Sequence, residues 1–138
     1  MMPSKINHIG IAVPDIEAAA KFYIESLGLK LGGIEEVASQ KVKVAFLPIG
    51  EVRLELIQPT SPDSPVARFL EKNGGPGIHH IAYHVADVAA DVERLKAEGV
   101  KMVDETPRPG AHNTRIAFVH PKASGGVLTE LVQELGHG

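Results

Sequence analysis

Cysteine is absent from the 138 residues, which excludes disulfides, thiolate zinc sites and a cysteine nucleophile. Any metal must therefore bind through nitrogen and oxygen donors. Positive charge is not in excess: 14 Lys+Arg stand against 17 Asp+Glu, for a net charge of −3 and a pI near 6.1. The cations form no cluster that would attract a polyanion, so no nucleic-acid partner is expected. No window holds 18 consecutive apolar residues and the N-terminus has no signal-peptide pattern, from which we expect a soluble, cytoplasmic protein with no membrane partner. P-loops and nucleotide-binding glycine fingerprints are also missing. What the chain does contain is 43% apolar and 22% charged residues, the make-up of one globular domain with its own core.

The chain repeats itself. His8-Ile9-Gly10-Ile11-Ala12-Val13, followed by Pro14-Asp15-Ile16, matches His80-Ile81-Ala82-Tyr83-His84-Val85, followed by Ala86-Asp87-Val88, at an offset of 72 residues. Leu54-Glu55-Leu56-Ile57-Gln58 matches Thr129-Glu130-Leu131-Val132-Gln133 at an offset of 75. Two copies this long exclude solenoids and propellers, which stack three or more shorter units. Asp15 reads as a helix N-cap, with Ile16, Ala19, Ala20, Tyr23 and Leu27 at helical spacing and Gly28 as the stop. Asp87 does the same before Val88, Val92 and Leu95, with Gly99 after them. Strands are expected near 29–37, 41–47 and 52–58, and again near 100–104, 115–120 and 127–133. Ser64, Pro65 and Asn73-Gly74-Gly75 bracket a linking helix. The reading is a single α+β domain over 1–138: module one at about 5–60, a linker helix at about 64–73, and module two at about 77–135. Each module is βαβββ.

His8 and His80 occupy equivalent places on the first strand of each half, and Glu55 and Glu130 on the last. A lone strand histidine is usually a hydrogen-bonded core residue, and a glutamate between leucines is usually the wet side of an alternating strand. Recurrence of all four in a duplicated unit points instead to a His2Glu2 site, whose N/O ligation suits Mn²⁺, Co²⁺, Ni²⁺, Fe²⁺ or Zn²⁺.

These residues, with Gln40 to Leu47, Ser64 to Leu70, Gly77-Ile78-His79-His80-Ile81-Ala82 and the run His120-Pro121-Lys122 through Gly125-Gly126-Val127-Leu128-Thr129-Glu130-Leu131, resemble the vicinal oxygen chelate superfamily. Within it they resemble the methylmalonyl-CoA epimerases. The resemblance implies two pseudo-symmetric βαβββ modules forming a curved metal-binding cleft, with His8, Glu55, His80 and Glu130 as ligands. It implies one divalent ion per chain, Co²⁺ first, with Mn²⁺, Ni²⁺ or Zn²⁺ as alternatives, an acyl-CoA substrate, and a homodimer. The implied reaction interconverts (2R)- and (2S)-methylmalonyl-CoA through an enolate, which calls for bases on both faces of the carbon or one base reaching both.

Glu130 is the first candidate base. Some family members carry a second glutamate on the third strand, and the aligned residue here is Lys43, which serves as a base only if desolvation or a nearby cation lowers its pKa. His120, Lys122 and Arg115 are candidates for holding the thioester arm. His79 should face away from His80 and is read as structural; His84 shares the parity of His80; Tyr83, Phe22, Phe46 and Phe118 are read as core. A glyoxalase I-like lactoylglutathione lyase uses the same ligands and is the main rival. An extradiol dioxygenase fits a two-His-one-carboxylate triad but not a fourth ligand, and a bleomycin-sequestering module typically lacks the quartet.

Overall fold

A computed structural model of the chain describes residues 3–136. Its elements run β1 (Lys5–Ala12), α1 (Ile16–Ala20), β2 (Gly33–Val37), β3 (Val42–Ile49), β4 (Val52–Pro59), α2 (Pro65–Asn73), β5 (Gly77–His84), α3 (Val88–Ala97), β6 (Arg108–Gly110), β7 (Thr114–Val119) and β8 (Leu128–Glu134). The chain forms two compact units, one of residues 8–79 and one of 80–136 with 3–7. In the first, strands lie in the order β2-β3-β4-β1; in the second, β6-β7-β8-β5. In each, the first strand pairs parallel with the last and the other pairs are antiparallel. The duplicated βαβββ fold is thus present in both halves. Among the described residues no helix is long and apolar enough to cross a membrane.

The helices start where the sequence says. Asp15 accepts from the Glu17 N–H at 3.1 Å and Asp87 from the Ala90 N–H at 3.1 Å. Ser64 caps α2 with Pro65 next, and Gly74 ends it in the left-handed conformation. A second tie was not foreseen. The Gln58 side-chain oxygen accepts from the Ile16 N–H at 2.9 Å, and that of Gln133 accepts from the Val88 N–H at 2.9 Å. Each glutamine, three residues after the glutamate of its strand, thereby satisfies a helix N-terminal amide that has no partner within its own helix. Replacing Gln133 by leucine should leave the Val88 amide unsatisfied and cost about 1–3 kcal/mol, read as a shifted urea midpoint at unchanged slope.

Two expectations are corrected. α1 does not run on as an α-helix to Leu27: Lys21–Ser26 form a widened π turn, which leaves Leu27 55% exposed. Leu29 packs into the cluster of Val13, Ile16, Ala45, Leu47 and Leu56 in its place, after the turn through Gly28, whose φ of 84° is costly for other residues. The strand expected at 100–104 is only a single bridge between Met102 and Val119. There the Asp104 carboxylate, not a backbone carbonyl, accepts from the Phe118 N–H at 2.8 Å. The pairing strand is β6 instead, a Pro- and Gly-bearing segment that reads as a turn. A Cβ on Gly110 would come within 2.6 Å of Thr114 Oγ1 and 2.7 Å of Ile116 Cγ2, so only glycine lets β6 lie this close to β7.

Candidate metal centre

Each half presents two unlike faces. In residues 8–79, α1 covers the face bearing Ile11, Ala45, Leu47, Leu54 and Leu56. Strand side chains alternate, so the register places the others on the opposite face: His8, Gly10 and Ala12 on β1, Arg53, Glu55 and Ile57 on β4, and Val42, Val44 and Phe46 on β3. In residues 80–136, α3 packs with Val85, Ala117, Val119 and Leu131. The other face carries His80 and Ala82 on β5, Leu128, Glu130 and Val132 on β8, and Ile116 and Phe118 on β7.

On each of these opposite faces sits a buried histidine–glutamate pair. His8 Nδ1 lies 3.3 Å from Glu55 Oε2, and His80 Nε2 lies 3.0 Å from Glu130 Oε1. All four residues are buried, His8 at 6%, Glu55 at 8%, His80 at 4% and Glu130 at 6% exposure. The surroundings repeat as well. Phe46 is the cross-strand neighbour of Glu55, and Phe118 that of Glu130. A guanidinium lies over each ring: Arg53 at 5.8 Å from the Phe46 centroid, Arg108 at 5.4 Å from that of Phe118. Phe118 also meets the His80 ring edge-on at 5.7 Å. Both phenylalanines are core, as expected, but they pack against the site face. His8, Glu55 and His80 form a group that could hold a metal ion, and the donor set of imidazole nitrogen and carboxylate oxygen fits a borderline divalent cation.

Burying ionisable side chains costs several kcal/mol per ion unless they are paired or ligate a metal. A fold with freedom to place leucine at these positions keeps two such pairs at matching places, which makes them the candidate site. Arg53 Nη2 donates to Glu55 Oε2 at 3.2 Å, orienting that carboxylate from two residues back on the same strand face. The sequence reading missed this arginine, whose signal was the i, i+2 spacing in Arg53-Leu54-Glu55.

Register places two candidates on the other face of their strands. Lys43 pairs across strands with Gln58 and Glu36, so it stands on the face that α1 covers, opposite Glu55, and it is exposed. Arg115 is its counterpart 72 residues on: it pairs with Gln133, on the helix-covered face of its own half, and is exposed too. Neither is on the face of its own half that carries the histidine–glutamate pair. Lys43→Ala is expected to leave turnover within about twofold of the parent protein, as exposed positions away from a site tolerate change; a steady-state assay checks this.

His120 caps the short turn Pro121–Ala123, its Nδ1 accepting from the Lys122 N–H at 3.0 Å. Desolvation, then the Lys101 and Lys122 charges, lower its pKa and favour the neutral ring that this cap needs. Lys122 is exposed beside it. His79 meets Phe69 edge-on at 5.1 Å, a packing contact. His84 has Ser4 Oγ at 2.9 Å from Nδ1 and Glu134 Oε1 at 3.5 Å from Nε2, so both ring nitrogens are engaged.

Comparison with known proteins gives the family and the fold. Residues 7–118 match the family described as the Glyoxalase/Bleomycin resistance protein/Dioxygenase superfamily. The chain is 42% identical to the ethylmalonyl-CoA/methylmalonyl-CoA epimerase of Cereibacter sphaeroides, over 96% of this chain and 99% of that one. It superposes on the crystal structure of methylmalonyl-CoA epimerase from Mycobacterium tuberculosis with a TM-score of 0.91 at 39% identity, covering 97% of this chain and 90% of that chain. It also superposes on a methylmalonyl-CoA epimerase solved in complex with methylmalonyl-CoA and NH4+, with a TM-score of 0.92 at 40% identity, covering 98% and 97% of the two chains.

Proposed function

The chain belongs to the glyoxalase/bleomycin resistance protein/dioxygenase superfamily and, within it, groups with the methylmalonyl-CoA epimerases; from that premise we propose that it interconverts (2R)- and (2S)-methylmalonyl-CoA. The single observation that carries the reading is the buried histidine–glutamate pair present at matching positions in each half. The reaction removes the proton on the carbon between a thioester carbonyl and a carboxylate and returns it on the other face. Its difficulty is the negative charge that grows on the thioester oxygen beside an existing carboxylate.

His8, Glu55, His80 and Glu130 are the proposed ligands of one divalent cation, Co²⁺ by preference, with Mn²⁺, Ni²⁺ or Zn²⁺ as alternatives. Such an ion supplies a Lewis acid for the two substrate oxygens. Arg53 holds the Glu55 carboxylate in place and adds a fixed positive charge on the same strand face, where developing negative charge is stabilised without reorganisation. Phe46 and Phe118 keep water from the carboxylates beside them, which strengthens every charge interaction there. Glu130 is the first proton-transfer group. The turn carrying His120 and Lys122 offers a cation to the acyl-CoA arm, which has no glycine-rich cradle to bind it.

Incubation of the purified protein with a single isomer of methylmalonyl-CoA in D₂O tests this reading. Deuterium at C2 together with racemisation is expected, lost on chelation and restored by Co²⁺ or Mn²⁺. Absence of exchange in the metal-loaded protein overturns the reading.

A further inference from the structure

Resting on the epimerase reading, we infer that Glu35 on β2 is a second proton-transfer residue of the reaction. The inference follows from the strand register of residues 8–79 alone. β2 pairs with β3 so that Gly33 lies opposite Phe46, Glu35 opposite Val44 and Val37 opposite Val42. Phe46 and Val44 in turn lie opposite Glu55 and Ile57. Glu35 is therefore on the face of the sheet that carries His8 and Glu55, one row along from Glu55. Among the described strand positions of that face (Gly33, Glu35 and Val37; Val42, Val44 and Phe46; Arg53, Glu55 and Ile57; His8, Gly10 and Ala12), the carboxylates are Glu55 and Glu35. Glu55 is already a proposed metal ligand.

The burial pattern of β2 supports a role on that face. An alternating edge strand ordinarily turns its apolar residues in and its charges out. Here Ile34 is 54% exposed and Glu36 is exposed, whereas Glu35 is half-buried. Two inter-strand steps and two residues along separate Glu35 from Glu55, about 12 Å between Cα atoms in ideal sheet geometry. A glutamate side chain from one position and a substrate held at the other span that distance across the small side chain of Val44. Lys43, one residue away on β3, faces the helix instead.

The step balances simply. The Glu35 carboxylate takes the C2 proton of one isomer and becomes the neutral acid, while the C–H electron pair passes into the enolate. A second acid then donates its own proton to C2 to give the other isomer, and in the reverse direction Glu35 returns the proton. The two carboxyl groups exchange protonation states once per turnover and solvent resets them.

The experiment is isomer-resolved C2 deuterium exchange in D₂O with the metal-loaded full chain, comparing the parent protein, Glu35→Gln and Glu35→Asp. Glu35→Gln is expected to lose about 10²–10⁴-fold in exchange from one isomer and in epimerisation, while exchange from the other isomer stays within about threefold of the parent. Glu35→Asp, which keeps a carboxylate, should regain part of the lost exchange. A residue kept on the edge strand only to deter strand pairing would affect both isomers alike or neither. Parent-like exchange from both isomers in Glu35→Gln overturns the role of Glu35 and leaves the epimerase reading intact. An equal loss from both isomers that Glu35→Asp does not relieve overturns it as well. An inactive parent protein overturns the epimerase reading, and the inference falls with it.

Discussion

Glu130→Gln is expected to lower the epimerisation rate by about two to four orders of magnitude while the protein keeps most of its metal. The carboxylate lies 3.0 Å from His80 Nε2 in a buried setting. The amide that replaces it has the same shape, and its oxygen still ligates a cation or accepts a hydrogen bond. It does not accept a proton near neutral pH, so binding and proton transfer come apart in one substitution. Metal content per chain, measured beside C2 exchange, reads the two separately. A parent-like exchange rate with metal still bound would remove Glu130 from proton transfer and leave it as a ligand.

His80→Ala has the other large effect: metal content is expected to fall from about one ion per chain to near zero, and activity with it. Removing the imidazole also leaves the Glu130 carboxylate buried without this partner, and breaking a buried pair from one side costs about 3–5 kcal/mol. Thermal unfolding should therefore begin earlier in His80→Ala. Co²⁺ should raise the Tm of the parent protein, by mass action on the folded state, and leave that of the variant unmoved. The double variant His80→Ala/Glu130→Gln removes the stranded charge and should recover part of the stability without recovering metal. Full activity in a metal-free His80→Ala protein would overturn the metal centre.

The sequence was most legible where it repeats. His8 and His80, Glu55 and Glu130, and Asp15 and Asp87 each stand out because a second copy sits 72 or 75 residues on, and two independent copies of a rare pattern outweigh one. It was least legible where a single residue decides which way a side chain faces. Lys43 lies in a run, Val42-Lys43-Val44-Ala45-Phe46-Leu47, whose centre is apolar on both faces because the strand is covered on both. Only the pairing partners Glu36 and Gln58 show that Lys43 points to the helix side, and the partner Gln133 shows the same of Arg115. β6 was hidden because Pro109 and Gly110 signal a turn, whereas here the missing Cβ is what permits pairing. The π turn at Lys21–Ser26 breaks the 3.6-residue period on which the assignment of Leu27 to the buried face depended. The two glutamines went unnoticed because their roles are contacts with backbone distant in sequence, which spacing alone does not mark.

The glutamine ties have an observable signature in amide hydrogen exchange. Amides in the first turn of a helix ordinarily trade their protons quickly, since they fray with the chain end and face solvent. The Ile16 amide is instead bonded to a strand residue 42 positions away, and the Val88 amide to one 45 away. Neither can open by fraying; each must wait until its helix lifts from the strand that carries the glutamate. These two protons are expected to be protected well beyond those of the neighbouring Glu17 and Ala89, and each times the separation of helix from sheet in its own half.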